Sequence, residues 1–381
     1  MIEKTKYASL YINELPDGCK LCVIGRKTVI FVTGICARNC FYCPLSESKK
    51  NKDVIYINEM PLKGEINFDL IIEEAKSHNS SGAGITGGDP LARIDRTISI
   101  IKKLKEYFGK KYHIHLYTPL MLVDENKLQR LFKAGLDEVR FHPNIFDSKY
   151  WNRISLAKKF NWDKGIEIPV IPNNEEQTIK LLNFVKDKVD FINLNELEYS
   201  DTNANQLFER GFFTKNELSY AIKNSAFSAK KLLRFIDKKI YPYHKLKVHF
   251  CTATTKDRFQ LTNRMKLKAK NVKLPVDLVS KDGMLMRGCI YLREMFNDKY
   301  QKKEIHKENC KELINKLKFA KKELSNIFRN GIYLDLKKKR LIVKPKKLVS
   351  HLNKIPKKYL CALVEEYPTY DRLEVTVNFL N

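Results

Sequence analysis

The sequence lacks any run approaching the roughly 20 apolar residues that cross a bilayer. Its opening stretch, MIEKTKYASLYINELPDG, has no apolar core of the kind a secretory signal carries. Neither secretion nor a membrane partner is expected, and the expected location is cytoplasmic. Internal repeats are absent, and nothing in the composition marks a fibrous or disordered chain. Acidic residues are in short supply: 44 Asp and Glu face 71 Lys and Arg, a formal net charge of +27. Cysteine is not scarce, at nine, yet without a signal segment these residues do not read as a disulfide framework, because cytosolic thiols are kept reduced. Those that cluster read better as metal ligands.

Three of them fall in Thr33-Gly34-Ile35-Cys36-Ala37-Arg38-Asn39-Cys40-Phe41-Tyr42-Cys43-Pro44-Leu45, at spacing CxxxCxxC. The apolar, β-branched run Thr28–Val32 just before them predicts a buried strand, so the loop leaves a strand end. A 4Fe-4S cube normally takes four thiolates. A loop that offers three leaves one iron open, and an open metal position is where a small molecule binds and reacts. A zinc knuckle would need a second Cys or His pair nearby, and within about fifty residues only the lone His78 follows.

With an aromatic residue, Tyr42, just before the third cysteine, this loop resembles the cluster-binding loop of radical S-adenosylmethionine (SAM) enzymes. The resemblance implies a 4Fe-4S cluster held by Cys36, Cys40 and Cys43, whose open iron is chelated by SAM. It implies reductive cleavage of SAM to methionine and a 5′-deoxyadenosyl radical that takes a hydrogen atom from substrate, fed by an electron donor such as ferredoxin or flavodoxin. The cofactor carries the hard chemistry, and the protein positions it.

At 381 residues the chain is long enough for one large domain and a smaller one. β-branched runs at 28–33, 84–86, 112–118, 138–141, 166–171 and 191–195 alternate with helical periodicity at 68–77, 94–108, 126–134, 148–160 and 175–188. Six strands separated by five helices predict an α/β fold with a parallel sheet. The resemblance sharpens this to a partial (β/α)6 TIM-like radical SAM barrel, although a doubly wound sheet satisfies the same pattern. In barrels the chemistry sits at the C-terminal strand ends, where the cysteine loop falls. Residues 1–27 read as an N-terminal extension with a CxxC, 28–240 as the barrel and 241–381 as a basic α+β accessory domain. In that last part a strand is predicted at 245–250, a basic helix at 256–270, and hairpins at 276–291 and 333–343. A long helix at 302–328 and a strand at 372–379 complete it.

Thr86-Gly87-Gly88-Asp89-Pro90 ends the second strand. Its glycines let a ligand approach the backbone, and Asp89 offers a carboxylate to an ammonium. The stretch resembles the family's GGEP motif, which binds the SAM amino group, with Asp in place of Glu. On the fifth strand Glu167 interrupts an apolar run; it reads either as a SAM contact, as the family uses that strand, or as a paired structural carboxylate. Asn195 and its polar neighbours at the end of the sixth strand read as rim contacts. His115, Tyr117, Thr118, Arg140 and His142 are further candidates for the cavity wall.

Cys19 and Cys22 form a CxxC ahead of the first strand, unlike a thioredoxin motif, which follows one. Cys251 is the best third ligand for a second iron-sulfur cluster. The segment His249 to Arg264 resembles archaeal radical SAM proteins related to pyruvate formate-lyase activating enzymes, and the Cys19/Cys22 pair belongs to the same pattern. Cys289, Cys310 and Cys361 read as small buried hydrophobes.

The charge excess is uneven: 38 basic and 30 acidic residues in 1–240, against 33 and 14 in 241–381. A polyanionic partner follows, or else a lysine-rich but merely solvated surface. The basic clusters at 258–270 and 337–347 suit phosphates, and Tyr241, Tyr243 and Phe259 suit an unstacked base. The expected activity is therefore a radical SAM modification of RNA, most simply tRNA. The competing expectations are a protein or peptide modifier like the glycyl-radical activases, and a non-catalytic zinc-dependent RNA-binding protein.

Overall fold

A computed structural model describes residues 1–297, 300, 301, 310–329 and 331–381. They divide into two compact units, Met1–Arg264 and Met265–Asn381.

The first unit opens with a hairpin, β1 (Ile2–Lys4) and β2 (Leu10–Ile12), and a short helix α1 (Asp17–Val23). Strand β3 (Lys27–Phe31) follows, then a second hairpin, β4 (Ile55–Ile57) and β5 (Met60–Leu62). A βα alternation then runs through α2 (Phe68–Ser77), β6 (Gly82–Thr86), α3 (Ile94–Phe108), β7 (His113–Thr118), α4 (Glu125–Ala134) and β8 (Glu138–Phe141). It continues with β9 (Asp163–Val170), α5 (Glu175–Val185), β10 (Phe191–Glu196), α6 (Ala204–Glu209), α7 (Ser225–Phe235) and β11 (Lys247–Cys251). Caps fix several boundaries: Asn67 accepts from Leu70 N at 3.1 Å to start α2, and Asp124 accepts from Lys127 N at 2.8 Å to start α4.

The sheet order is β1-β2-β11-β10-β9-β8-β7-β6-β3-β4-β5. The stretch from β3 to β11 is wholly parallel, while β2 and β4 flank it antiparallel. β3 and β11 do not pair, so the barrel is partial and open, as expected. The six expected strands are present and a seventh joins them. That seventh, β11, is the strand assigned from composition to the accessory region; it lies beside β10, and the boundary drawn at 240/241 falls inside the first unit. The helix predicted at 148–160 is a 3₁₀ segment, Trp151–Lys159. Its buried residues Trp151, Ile154 and Ala157 recur every third position, the repeat of a 3₁₀ turn.

Alternation along the strands sorts the two faces. Ile114, Leu116, Val139, Phe141, Ile166, Ile168, Ile192, Leu194, Val248 and Phe250 belong to the main apolar core. The alternate positions carry His115, Tyr117, Glu138, Arg140, Glu167, Asn193, Asn195, His249 and Cys251, so the inward face is polar. α1 packs against this face. Gly18 N donates to Glu138 Oε2 at 3.0 Å, and a Cβ at Gly18 would lie 2.4 Å from Arg140 Nη2 and 2.5 Å from His115 Nδ1. Only glycine admits that approach.

The second unit begins within α8 (Thr262–Val272) and contains β12 (Leu278–Val279), β13 (Leu285–Leu292), α9 (Cys310–Glu323), α10 (Ser325–Phe328), β14 (Ile332–Asp335), β15 (Arg340–Val343), α11 (Pro345–Ser350), β16 (Tyr359–Glu366) and β17 (Glu374–Phe379). Its sheet is antiparallel, in order β14-β15-β13-β16-β17 with β12 on β13. Both predicted hairpins and the final strand are present. The expected helix at 302–328 is seen as α9 and α10; residues 302–309 lie outside the described residues. Cys289 and Cys361 are buried in this unit's own core. Among the described residues no helix is long and apolar enough to cross a membrane.

Candidate functional site

The protein's own hydrogen bonds anchor the cysteine loop at its base. Gly34 N donates to Lys52 O at 2.8 Å and Asn51 N to Gly34 O at 3.0 Å, which closes the loop on itself. Asp53 accepts from Thr33 Oγ1 at 2.8 Å, from Arg96 Nη1 at 2.6 Å and from Arg93 Nε at 2.8 Å. Those bonds, Arg96 foremost, hold its carboxyl well below the usual carboxylate range.

Cys36, Cys40 and Cys43 are half-buried on the wall of a cavity of ≈ 310 Å³. Tyr42, Thr86, Gly87, Gly88, Glu167 and Asn195 line the same cavity. Nine of the ten residues expected at the SAM and cluster site therefore line one cavity. Tyr42 ties the loop to the strand ends: its hydroxyl lies 3.2 Å from His142 Nε2, and His142 Nδ1 lies 2.7 Å from Glu167 O. The carbonyl acceptor assigns the proton to Nδ1, and burial brings His142 down to about 4, so the ring is neutral. Asn203 Nδ2 donates to Tyr42 O at 3.1 Å, a clasp with no sequence signal.

The glycine turn meets the cysteine loop directly. Gly88 N donates to Thr33 O at 2.7 Å and Asp89 N to Ile35 O at 2.8 Å. A Cβ at Gly88 would stand 2.5 Å from Ile35 O and 2.6 Å from Gly34 O. The glycine is thus required by the neighbouring backbone as well as by any ligand. Asp89 departs from expectation: it is wholly buried and outside the cavity wall. Its Oδ1 caps Leu91 N at 3.0 Å and accepts from Thr118 Oγ1 at 2.9 Å, while Oδ2 has no partner. Proline at the next position turns the chain into a 3₁₀ helix, and its cap holds the shortened side chain inward. Burial pushes its carboxyl up to about 6.

Glu167 forms the floor. It accepts from Arg140 Nη1 at 2.8 Å, Asn193 Nδ2 at 2.9 Å and Asn195 Nδ2 at 2.9 Å. Burial opposes its charge, but Arg140 and the two amides prevail and hold the carboxyl below its ordinary value. Arg140 is also bound to Glu138, and its own charge is favoured by these neighbours despite burial.

Cys19, Cys22 and Cys251 do not reach the cavity. Cys19 and Cys22 stand one turn apart on α1, and Cys251 ends β11. Asn193 Nδ2 bonds Cys19 Sγ at 3.3 Å as well as Glu167, so the group lies one side chain beyond the floor. Burial raises all three thiols, Cys19 to about 12. Burial likewise pushes Cys36 up to about 11 and raises Cys40. Among the described residues no three Cys, His, Asp or Glu side chains converge as ligands of a single ion would. Of the additional candidates, Tyr117, Thr118 and His142 line the cavity, whereas His115 and Arg140 are buried behind it. Arg38, Lys50 and Lys256 on the cavity wall went unread in the sequence; Lys256 pairs with Glu198 at 2.8 Å.

Residues 30–185 match the family described as the radical SAM superfamily. The chain is 38% identical over 384 residues, spanning 98% of itself and 95% of the relative, to a Methanocaldococcus jannaschii protein whose name assigns it provisionally as a glycyl-radical enzyme activating enzyme. It is 25% identical over 189 residues, 42% of this chain and 69% of the relative, to the pyruvate formate-lyase-activating enzyme of Staphylococcus epidermidis. Among solved structures, methylornithine synthase is similar over 60% of this chain and 71% of its own, at 17% identity and a TM-score of 0.38, too slight a likeness to carry weight. A cysteine loop at the end of the first barrel strand, facing a glycine turn across one cavity, agrees with that full-length relationship: the chain belongs to the radical SAM superfamily.

Proposed function

We propose that this protein is a radical SAM activase whose substrate is another protein. The observation that carries the reading is the near full-length match, at 38% identity, to a protein named as a glycyl-radical enzyme activating enzyme. The site's donor chemistry suits the cofactors the family implies. Three thiols on one loop suit an iron-sulfur cube with one open position, and a cavity of ≈ 310 Å³ beside them is in the range of small-molecule sites. In this reading Cys36, Cys40 and Cys43 hold the cluster. The Thr86-Gly87-Gly88 backbone, Tyr42, Glu167 and Asn195 enclose SAM. A reduced cluster bound there would supply one electron for reductive cleavage of SAM, the chemistry by which the family removes a hydrogen atom from substrate. Arg140 and the two amides keep Glu167 ionised and oriented, and Asp53 fixes the loop against Arg93 and Arg96. Asp89 acts through the backbone, by capping the turn that presents Gly87 and Gly88. A small redox protein of the ferredoxin or flavodoxin kind delivers the electron. Cys19, Cys22 and Cys251 hold a second iron-sulfur cluster.

The RNA expectation rests on charge and on the aromatics Tyr241, Tyr243 and Phe259, and part of that charge is committed within the protein. Arg340 is fully buried against Asp335 at 3.0 Å and Glu366, and Arg264 bonds Asn58 Oδ1 at 2.7 Å and Glu59. The deciding experiment measures 5′-deoxyadenosine from reconstituted enzyme, dithionite and SAM on adding extract of its own cells. A stimulation that protease abolishes and nuclease spares is expected. One that nuclease abolishes would overturn the protein-substrate reading in favour of RNA.

A further inference from the structure

On the inward face of the barrel, β11 presents His249 two residues before Cys251. His249 is 1% exposed, and neither of its ring nitrogens has a hydrogen-bond partner. A buried imidazole left wholly unbonded is rare, because each dry polar atom forfeits its hydration without return. It does not stand alone: Asn193 Oδ1, Arg140 Nη2 and His115 Nδ1 are buried and unpartnered on the same face. Asn193 is the register partner of His249 on β10, and its Nδ2 lies 3.3 Å from Cys19 Sγ. Cys22 follows Cys19 by one helical turn, and Cys251 follows His249 by one strand repeat, so all four soft or borderline donors address the same polar interior.

We infer that His249 is the fourth protein ligand of the second cluster, giving a Cys19, Cys22, Cys251 and His249 donor set inside the barrel. The inference rests on the second cluster proposed above and names what closes it. Three thiolates and one neutral imidazole fill four positions, so this cluster has no open iron and takes no substrate directly, unlike the three-thiol loop. On binding, the thiols lose their protons and the imidazole contributes a lone pair, with no redox change at the residues. Asn193 then serves as a neighbour that orients a ligand on one side and Glu167 on the other, the arrangement in which outer partners tune a metal site. Exchange of the imidazole for a thiolate would add a negative charge and lower the cluster's potential.

The test uses the full chain with Cys36, Cys40 and Cys43 all changed to Ala, reconstituted with iron and sulfide. Iron and sulfide should remain bound in this background and be lost on adding C19A, C22A and C251A. Pulsed EPR of the reduced cluster should show nitrogen hyperfine coupling that changes on ¹⁵N-histidine labelling. In H249C that coupling should vanish, with iron content retained and the midpoint potential shifted down; a circular-dichroism melt identifies any variant that fails to fold. A cluster without nitrogen coupling, or coupling that survives in H249C, overturns the assignment of His249 while leaving the second cluster intact. No iron in the loop-cysteine background overturns the second cluster and this inference together, and SAM cleavage by the unmodified protein would separate that outcome from failure of the radical SAM reading.

Discussion

Glu167 shows how one side chain serves two neighbours. Its carboxylate sits on the cavity wall, yet its bonds run inward to Arg140 and Asn193. Removing one member of a buried ion pair leaves an uncompensated charge, so Glu167→Ala should cost about 3–5 kcal/mol in urea unfolding, far beyond the loss of one exposed contact. A cost within 1 kcal/mol, the ordinary range for a surface pair, would mean that Arg140 is satisfied by Glu138 alone. Asp89 gives a pH signature. Its carboxyl is raised from 3.8 to about 6 by burial, so the folded chain holds this proton more tightly than the unfolded one. Stability from this group is therefore full below about pH 4 and falls as the pH rises through 6, by at most about 3 kcal/mol. Asp89→Asn should gain on the cofactor-free wild type between pH 4 and 7 and lose that advantage in acid. An unfolding difference that does not vary with pH would contradict the assignment.

At the scale of elements, the cysteine loop and the glycine turn are one structure. Gly88→Ala would place a methyl group 2.5 Å from Ile35 O, and the loop, not the buried turn, must give way. The expected outcome is a folded protein with iron content and SAM cleavage both sharply reduced; full iron loading would contradict it. Much of this arrangement was legible in the sequence. CxxxCxxC and Gly-Gly each follow a β-branched strand, and strand ends carry barrel chemistry. What was not legible has local causes. β1, β2, β4 and β5 have three residues each, too few to show alternation. Helix α1 has seven residues including Gly18 and two cysteines, too short and too poor in helix formers to show a helical period. β11 was set apart because basic residues follow it, whereas its alternation of Val248 and Phe250 with His249 and Cys251 was the better guide. The inward role of Asp89 could not be read, since a capping bond depends on the fold of the turn that follows.

At the scale of the molecule, two separate cores suggest two separable folding events. The second unit is organised around Glu366, which is fully buried and accepts from both Arg287 and Arg340. Calorimetry should resolve two transitions, and Glu366→Ala should lower one of them by about 3–5 kcal/mol while leaving the other in place. A uniform shift of a single transition would contradict that division. The net charge of +27 remains a property of the whole chain, but arginines such as Arg340 and Arg264 are engaged by internal carboxylates, so not all of it is open to a polyanion.

Everything at this site depends on Cys36, Cys40 and Cys43 supporting reductive cleavage of SAM. Anaerobic reconstitution with iron and sulfide, followed by dithionite and SAM, tests it most directly. The wild type should yield 5′-deoxyadenosine and Cys40→Ala none. No 5′-deoxyadenosine from the wild type, or equal amounts from both, would contradict it.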